Sequence, residues 1–497
     1  MGNQAVCWSV VLTLIASLGL LPKGSFAEAP LESAVHDASV NGRRATAMVT
    51  VPDDESVTPG MLDLQFDPGT GANGTVFALL PQEGNELLMG GSFTMVNGIA
   101  RHGIARLGND GKVDAGFSAD VLSGETIYAI ARQPDGKLII GGTFTSIGGV
   151  ARNRIARLLS DGRLDSSFNA EPGADDVIKT LALQPDGKVL VGGLFLHFGD
   201  SVRSRLARLQ ADGSLDPTFN PGADGPVTCL VLQSDGRILV GGSFRGVNGV
   251  TRVYAARLGP DGAVDPTFNP GGGSTVVNGT GIKAMALQED GKLVIGGDSS
   301  ILYGSGRIAL NRLLENGDLD RTFNPNVPSG SSVLAIAIQS DGQLLIGGDF
   351  SRLAGPACCA LYDRKGIARL NRDGSVDTSF DVGAGVDPIY VTALKLQPDF
   401  KVVLGGAFTS YNGYARPGTA RLQGDVPTRI ADWSYNGAMQ LTVMTQPGKI
   451  YVLEATTNLI NWTPVATNTA SSVYSQFQDP TSAPTGARLY RVQQVAQ

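Results

Sequence analysis

Residues 227–268 read VTCLVLQSDGRILVGGSFRGVNGVTRVYAARLGPDGAVDPTF, and this stretch decides the fold. Val227 to Leu232 is a β-rich run that stops at Gln233-Ser234-Asp235-Gly236, and Arg237 to Val240 is a second run leading into Gly241-Gly242. Two such runs joined by an Asp-Gly turn spell a β-hairpin. A third run ends at Ala256-Arg257-Leu258. After another turn at Asp261-Gly262, Val264-Asp265-Pro266-Thr267-Phe268 supplies a fourth. The unit is a four-stranded meander of about 50 residues, the size of one propeller blade.

Three markers of this unit recur along the chain. The Gly-Gly pair stands at 90/91, 141/142, 192/193, 241/242, 296/297, 347/348 and 405/406. A segment of the form LDxxF or VDxxF begins at Leu62, Val113, Leu164, Leu215, Val264, Leu319 and Val376. An Arg-Leu pair falls at 106/107, 157/158, 208/209, 257/258, 312/313, 369/370 and 421/422. Each marker gives seven units. In the first run of each unit the third position is Ala78, Ala129, Thr180, Cys229, Ala284, Ala335 or Ala393, and the next is Leu79, Ile130, Leu181, Leu230, Met285, Ile336 or Leu394. A strand apolar on both faces is buried on both faces, as in a blade sandwiched between two others. The first LDxxF segment precedes the first hairpin, and none follows Arg421-Leu422, so the first is expected to complete the last blade and close the ring. The expected class is all-β, a seven-bladed β-propeller of four-stranded blades.

The blocks Leu215 to Pro221 (LDPTFNP), Leu183 to Lys188 (LQPDGK) and Leu239 to Phe244 (LVGGSF) resemble the delta-60 repeat family over residues 61–424. That resemblance implies a β-propeller in secreted or envelope proteins of bacteria, without an assigned activity. Three units depart from the pattern, with Glu83-Gly84-Asn85 or Asp399-Phe400 at the turn and Asp298-Ser299 where others end in Phe, and their blades are expected to be less regular.

Outside the repeats, Val6 to Leu21 is an apolar run followed by Ser25-Phe26-Ala27, which reads as a signal peptide over 1–27 cleaved after Ala27. The run falls short of the roughly 20 residues that span a bilayer, and no transmembrane segment is expected in the mature chain. Residues 28–60 read as a flexible leader, and 425–497 as a C-terminal β module resembling a small sandwich. A formal net charge of −7 with no basic run argues against nucleic acid as a partner. With Cys7 removed, Cys229, Cys358 and Cys359 are too few and too oddly placed for a disulfide framework.

No catalytic or metal residue and no cofactor is expected. The seven Asp residues of the LDxxF segments, Asp63, Asp114, Asp165, Asp216, Asp265, Asp320 and Asp377, recur in every unit, as do Arg106, Arg157, Arg208, Arg257, Arg312, Arg369 and Arg421. Residues present in every blade hold blades together, and the arginines are expected to bind neighbouring blade elements, those carboxylates among them. The Asp-Gly turns lack the alternating oxygen donors of a calcium loop. The Gly-Gly pairs continue into strand rather than opening a helix, so they are no phosphate loop; they fit a bulge or a close backbone approach. His36, His102 and His197 show no metal-ligand spacing, and Cys229 sits at a small core position.

What breaks the symmetry is an insertion from Leu353 to Lys365, carrying Cys358, Cys359, Tyr362, Asp363 and Arg364, and the Gly271 to Gly281 segment opening the fifth unit. Loops on a rigid ring are where propellers differentiate. The expected function is that of a secreted, non-catalytic binding or scaffolding module with a protein or polysaccharide ligand. The rival is an enzyme acting on glycans through carboxylates in the central channel. A further expectation makes Trp433, Tyr435 and Trp462 a sugar-stacking surface.

Overall fold

The computed structural model describes residues 58–425 apart from 171, 271–280, 302–307 and 356–360, the strands of the C-terminal module, and the backbone of two strands near residue 40. The chain divides into two compact units, one of which is 60–424. The apolar run at 6–21 and the expected cleavage position lie outside the described residues, as do Cys358, Cys359 and residues 271–280.

Each blade of the 60–424 unit is built on an antiparallel sheet of three strands. In the fourth blade these are Val227–Leu232, Ile238–Gly242 and Ala255–Leu258, with the second strand in the middle. The first strands of adjacent blades lie against each other all the way round, the seventh against the first, so they are the inner strands surrounding the central channel. Apolar clusters fill the spaces between blades. Leu88 and Ile104 of the first, for example, pack with Ile127, Ile140 and Phe144 of the second. The core is therefore seven wedges between sheets, which is why both faces of the inner strand are apolar.

The expected fourth strand is shorter than the sequence suggests. It is a single bridge, such as Leu258 to Val264 or Leu370 to Val376, with the following Asp amide donating to the Arg carbonyl. The chain turns inward after two residues because the Asp of LDxxF caps its own turn, Asp265 Oδ1 accepting from the Thr267 amide at 2.8 Å. Closure occurs as expected: Leu62 bridges Leu422, the Asp63 amide donates to the Arg421 carbonyl at 2.8 Å, and the Gln423 amide to the Met61 carbonyl at 2.8 Å.

Among the described residues, six blades add small hairpins between the middle and outer strands, for instance Gly246–Val247 with Val250–Thr251 and, over the insertion, Arg352–Ala354 with Leu361–Asp363. The irregular units behave individually. Glu83–Asn85 forms a 3-10 turn, and Phe400 takes the left-handed backbone (φ 68) that Gly occupies in regular turns. At Asp298 the middle strand runs on to Ile301 instead of ending.

Residues 28–60 were expected to be irregular, yet Val35–Val40 and Arg43–Ala47 pair antiparallel. They flank Asn41-Gly42, a strong short-range hairpin signal. The C-terminal module holds two three-stranded sheets, one with Met439–Met444 in the middle and one with Ile450–Thr456 in the middle. Leu441, Val443 and Phe477 of the first pack on Tyr451, Leu453 and Val492 of the second, a small sandwich core. The side chains of Trp433, Tyr435 and Trp462 lie outside the described residues.

Candidate ligand face at the mouth of the central channel

The repeat-symmetric charges form locks within and between blades. Each recurrent Arg donates Nε to the Asp of its own blade, as in Arg208 to Asp216 Oδ2 at 2.8 Å, and lies over the Phe of the same segment, Arg208 being 4.4 Å from the Phe219 centroid. Nη1 of Arg106, Arg157, Arg208, Arg257, Arg312 and Arg421 then reaches the turn after the outer strand of the next blade, Arg208 donating to the Pro260 carbonyl at 2.6 Å. In the last blade the Asp is Asp63, delivered from the other end of the repeats, 2.7 Å from Arg421 Nε. Burial works against these carboxylates. The Ser or Thr two residues on and the Arg outweigh it at Asp265 and hold that pKa down at about 2; at Asp63 the outweighing partners are Lys401 and Arg421. The seven carboxylates are ionised and taken up in structural pairs.

The Gly-Gly pairs do two jobs. A Cβ on the first glycine would meet the inner strand of the next blade, at Gly192 the Val227 side chain at 2.6 Å. On the second it would meet the backbone just before the blade's own inner strand, at Gly142 the Thr126 carbonyl oxygen at 2.0 Å. This second approach goes with a bulge in all seven inner strands. Val227 pairs with Gly242 and Cys229 with Gly241, so Thr228 is the extra residue.

The bulged residues are Phe77, Tyr128, Lys179, Thr228, Lys283, Leu334 and Thr392, all half-buried. They form a ring at the end of the channel where the inner strands begin. The Phe77 and Tyr128 rings are 5.0 Å apart, and Lys179 Nζ sits 3.3 Å from the Tyr128 centroid. Thr228 Oγ1 donates to the Ile282 carbonyl of the next blade, and Thr392 Oγ1 to the Val76 carbonyl across the closure. Lys283 Nζ is 3.8 Å from Asp298 Oδ2. Unlike the locks, this ring differs from blade to blade. Sequence reasoning treated the run as uniform core and missed it. The signal was present in the two lysines interrupting otherwise apolar runs.

Among the described residues no carboxylate lies within ion-pairing reach of Lys179. Desolvation, with repulsion from Lys283 and against the attraction of the more distant Asp176, lowers its pKa to about 8. Lys395, farther along the inner strand where the other six blades carry Leu, Val or Ala, is solvent-accessible inside the channel, and desolvation lowers its pKa too. A depressed lysine costs folding energy while both states are protonated, and that cost disappears as pH rises from about 8 towards the free value of 10.5. Lys179→Met is therefore expected to stabilise the protein at pH 7 by roughly 1–2 kcal/mol, about 1.4 kcal/mol per pKa unit being discounted for partial solvation. The gain should shrink towards zero at pH 10 in urea denaturation; an equal gain at both values would show that desolvation of the ammonium is not its source.

The same end of the ring carries the hairpins, the segments leading into the inner strands, and the described part of the Leu353 to Lys365 insertion. There Arg352 pairs with Asp363 at 2.9 Å, Arg364 lies over Tyr362 at 6.0 Å, and Leu361 is exposed. The Asp-Gly turns occupy the opposite end. Between the third and fourth blades a cleft of about 460 Å³ is lined by Asp175, Asp176, Leu194, Leu196, Arg205 and Pro226. Asp175 takes the amides of Leu196 and His197 and the His197 ring at 2.9 Å, and its counterpart Asp224 takes two amides in the next blade, so this carboxylate shapes a hairpin. His102 Nδ1 lies 3.2 Å from the Val121 carbonyl oxygen, and the side chain of His36 is outside the described residues. Cys229 is buried, and burial pushes its thiol up to about 12.

An all-β ring of seven bulged, Arg-locked blades defines a β-propeller repeat protein. The family described as "Domain of unknown function (DUF5122) beta-propeller" matches residues 85–117, 133–168, 184–219, 233–268, 288–323, 339–380 and 397–425, and the chain belongs to a β-propeller repeat family. No curated protein matches it in sequence. Among solved structures it is similar to PorZ, a bacterial surface component of the type-IX secretion system of Porphyromonas gingivalis, at 14% identity and a TM-score of 0.42. That match covers 90% of this chain and 59% of PorZ, so the chain spans well under two thirds of that protein. It is also similar to the gluconolactonase XC5397 from Xanthomonas campestris (12% identity, 76% of this chain and 99% of the other, TM-score 0.34). A third likeness is to an exo-β-1,3-galactanase from Phanerochaete chrysosporium (10%, 67% and 93%, 0.26). Among the described residues no helix is long and apolar enough to cross a membrane.

Proposed function

We propose that this protein is a secreted, non-catalytic binding or scaffolding module with delta-60-type repeats, which engages a protein or polysaccharide outside the cell or at its envelope through the hairpin-bearing end of the propeller. The observation that carries this reading is the distribution of asymmetry. The charged positions common to all blades are paired within the scaffold, whereas the bulged ring and the long sixth-blade hairpin vary and share one end. A rigid ring presenting variable side chains at one end suits recognition.

The reading is tested by capture from envelope and secreted fractions, using the intact mature chain, a chain in which Leu353 to Lys365 is replaced by a short turn, and Lys112→Glu in an Asp-Gly turn at the other end. Capture by the intact and Lys112→Glu chains, with loss in the trimmed chain, is the expected result. Equal capture by all three would remove the sixth-blade hairpin from the binding face.

A further inference from the structure

The bulged ring is amphipathic around its circumference. Blades three and five contribute Lys179 and Lys283, with Thr228 of blade four between them, its hydroxyl already committed to the Ile282 carbonyl. Blades six, one and two contribute Leu334, Phe77 and Tyr128, and between Leu334 and Phe77 stands Thr392 of blade seven, its hydroxyl committed to the Val76 carbonyl. The Tyr128 ring holds the Lys179 ammonium at 3.3 Å, which fixes one cationic corner of the mouth without neutralising it. Lys283 is shared with Asp298 at 3.8 Å. Asp176, in the segment leading into the third inner strand, acts on Lys179 from beyond ion-pairing distance, and the two ammonium groups are the cations of this ring in a protein whose formal net charge is −7.

We propose that the mouth of the central channel binds a carboxylate borne on a ring, the carboxylate between Lys179 and Lys283 and the ring against Phe77 and Leu334. This deepens the binding-module reading and rests on it. The chemistry is matched on two counts. A partly dry, low-dielectric rim strengthens each ammonium–carboxylate contact relative to bulk water. Phe77, packed beside Tyr128, and Leu334 offer apolar surface across the ring that a hydrated inorganic anion would leave unused. Lys179 and Lys283 flank Thr228 on neighbouring sides of the ring, so an anion placed between them faces both ammonium groups. A uronic acid unit of an acidic saccharide and an aromatic acid share this chemistry.

The two sources are separated by calorimetric titration of the full chain with trigalacturonate and with benzoate, beside neutral galactotriose and inorganic phosphate. The expected result is saturable one-to-one binding of trigalacturonate, benzoate or both, none of galactotriose, and a Kd at least tenfold weaker in Lys179→Met and in Lys283→Met. Lys112→Met, at the opposite end, should bind as the parent does. Because removing a desolvated charge does not weaken the fold, loss of binding in a Lys179→Met protein of normal circular dichroism is not a folding effect. Trigalacturonate binding assigns the site to a saccharide, and benzoate binding alone to an aromatic acid. Binding of phosphate only, of no carboxylate, or of a carboxylate indifferent to both lysines overturns the proposal. The chain trimmed at Leu353 to Lys365 is titrated in parallel. Carboxylate binding there, with partner capture lost, separates the two sites; partner capture without carboxylate binding would sink the channel site and leave the binding module standing.

Discussion

Replacing Asp63 with alanine is expected to destabilise the propeller by about 3–5 kcal/mol, while the same change at Asp114 costs about 1 kcal/mol. The two residues hold equivalent positions in the repeat, and their surroundings separate them. Asp63 and Arg421 are each about 1% exposed and 2.7 Å apart, and Lys401 lies 3.0 Å from the same carboxylate oxygen. Removing Asp63 strands two cations, one of them fully buried, at the joint where the two ends of the repeat array meet. Asp114 and Arg106 are 28% and 20% exposed, so water replaces much of what the substitution takes away. The order reflects desolvation of the stranded partner more than the strength of either contact. Urea denaturation followed by far-UV circular dichroism measures both losses. Combining Asp63→Leu with Arg421→Met should recover much of the first, since a buried pair replaced by apolar groups is often neutral. Equal losses at Asp63 and Asp114 would mean that the closing pair stabilises no more than an ordinary one.

Gly242→Ala should lose about 3 kcal/mol, and Gly241→Ala at most about 1 kcal/mol, although the residues are neighbours in one strand. A Cβ on Gly242 lies 2.0 Å from the Pro226 carbonyl oxygen and 3.0 Å from the Val227 Cα, both backbone, and relief requires moving the inner strand. On Gly241 the nearest atom is Met285 Sδ at 2.6 Å, the movable part of a flexible side chain. Alanine also reduces the freedom of the unfolded chain by about 0.4–1 kcal/mol in favour of folding, enough to offset the milder clash but not the harder one. Thermal and urea unfolding of the two variants give the comparison. Similar losses would assign both glycines to packing between blades and remove the special approach that accompanies the bulge.

Much of the scaffold was legible because it is local. The Asp-Gly turn at Asp235-Gly236 and the runs on either side of it specify a hairpin within sixteen residues, and the hairpin repeats. The recurrence of Arg and Asp eight residues apart also carried their pairing, seen in Arg208 and Asp216. The candidate site was not legible in the same way. Thr228 and Lys179 read as members of apolar runs, and only the bulge opposite a glycine pair sets them apart from their neighbours. The short hairpin at Gly246–Val247 and Val250–Thr251 escaped because two-residue strands carry no periodicity. The shortened fourth strand escaped for the opposite reason: Val264 to Phe268 has strand composition, but Asp265 bends the chain by bonding its own backbone.

By itself, the sequence determined the number of blades, the strand and turn content of each, and the residues that lock a blade, since turn chemistry and short-range alternation act within one repeat. Ring closure was legible from the missing last LDxxF segment, but only the tertiary structure decided which side chains gather at the channel mouth, where the close approach at seven glycine pairs turns one residue of every inner strand into the rim. Contacts between repeats depend on the curvature of the whole ring, and no window of sequence as short as a repeat contains that curvature.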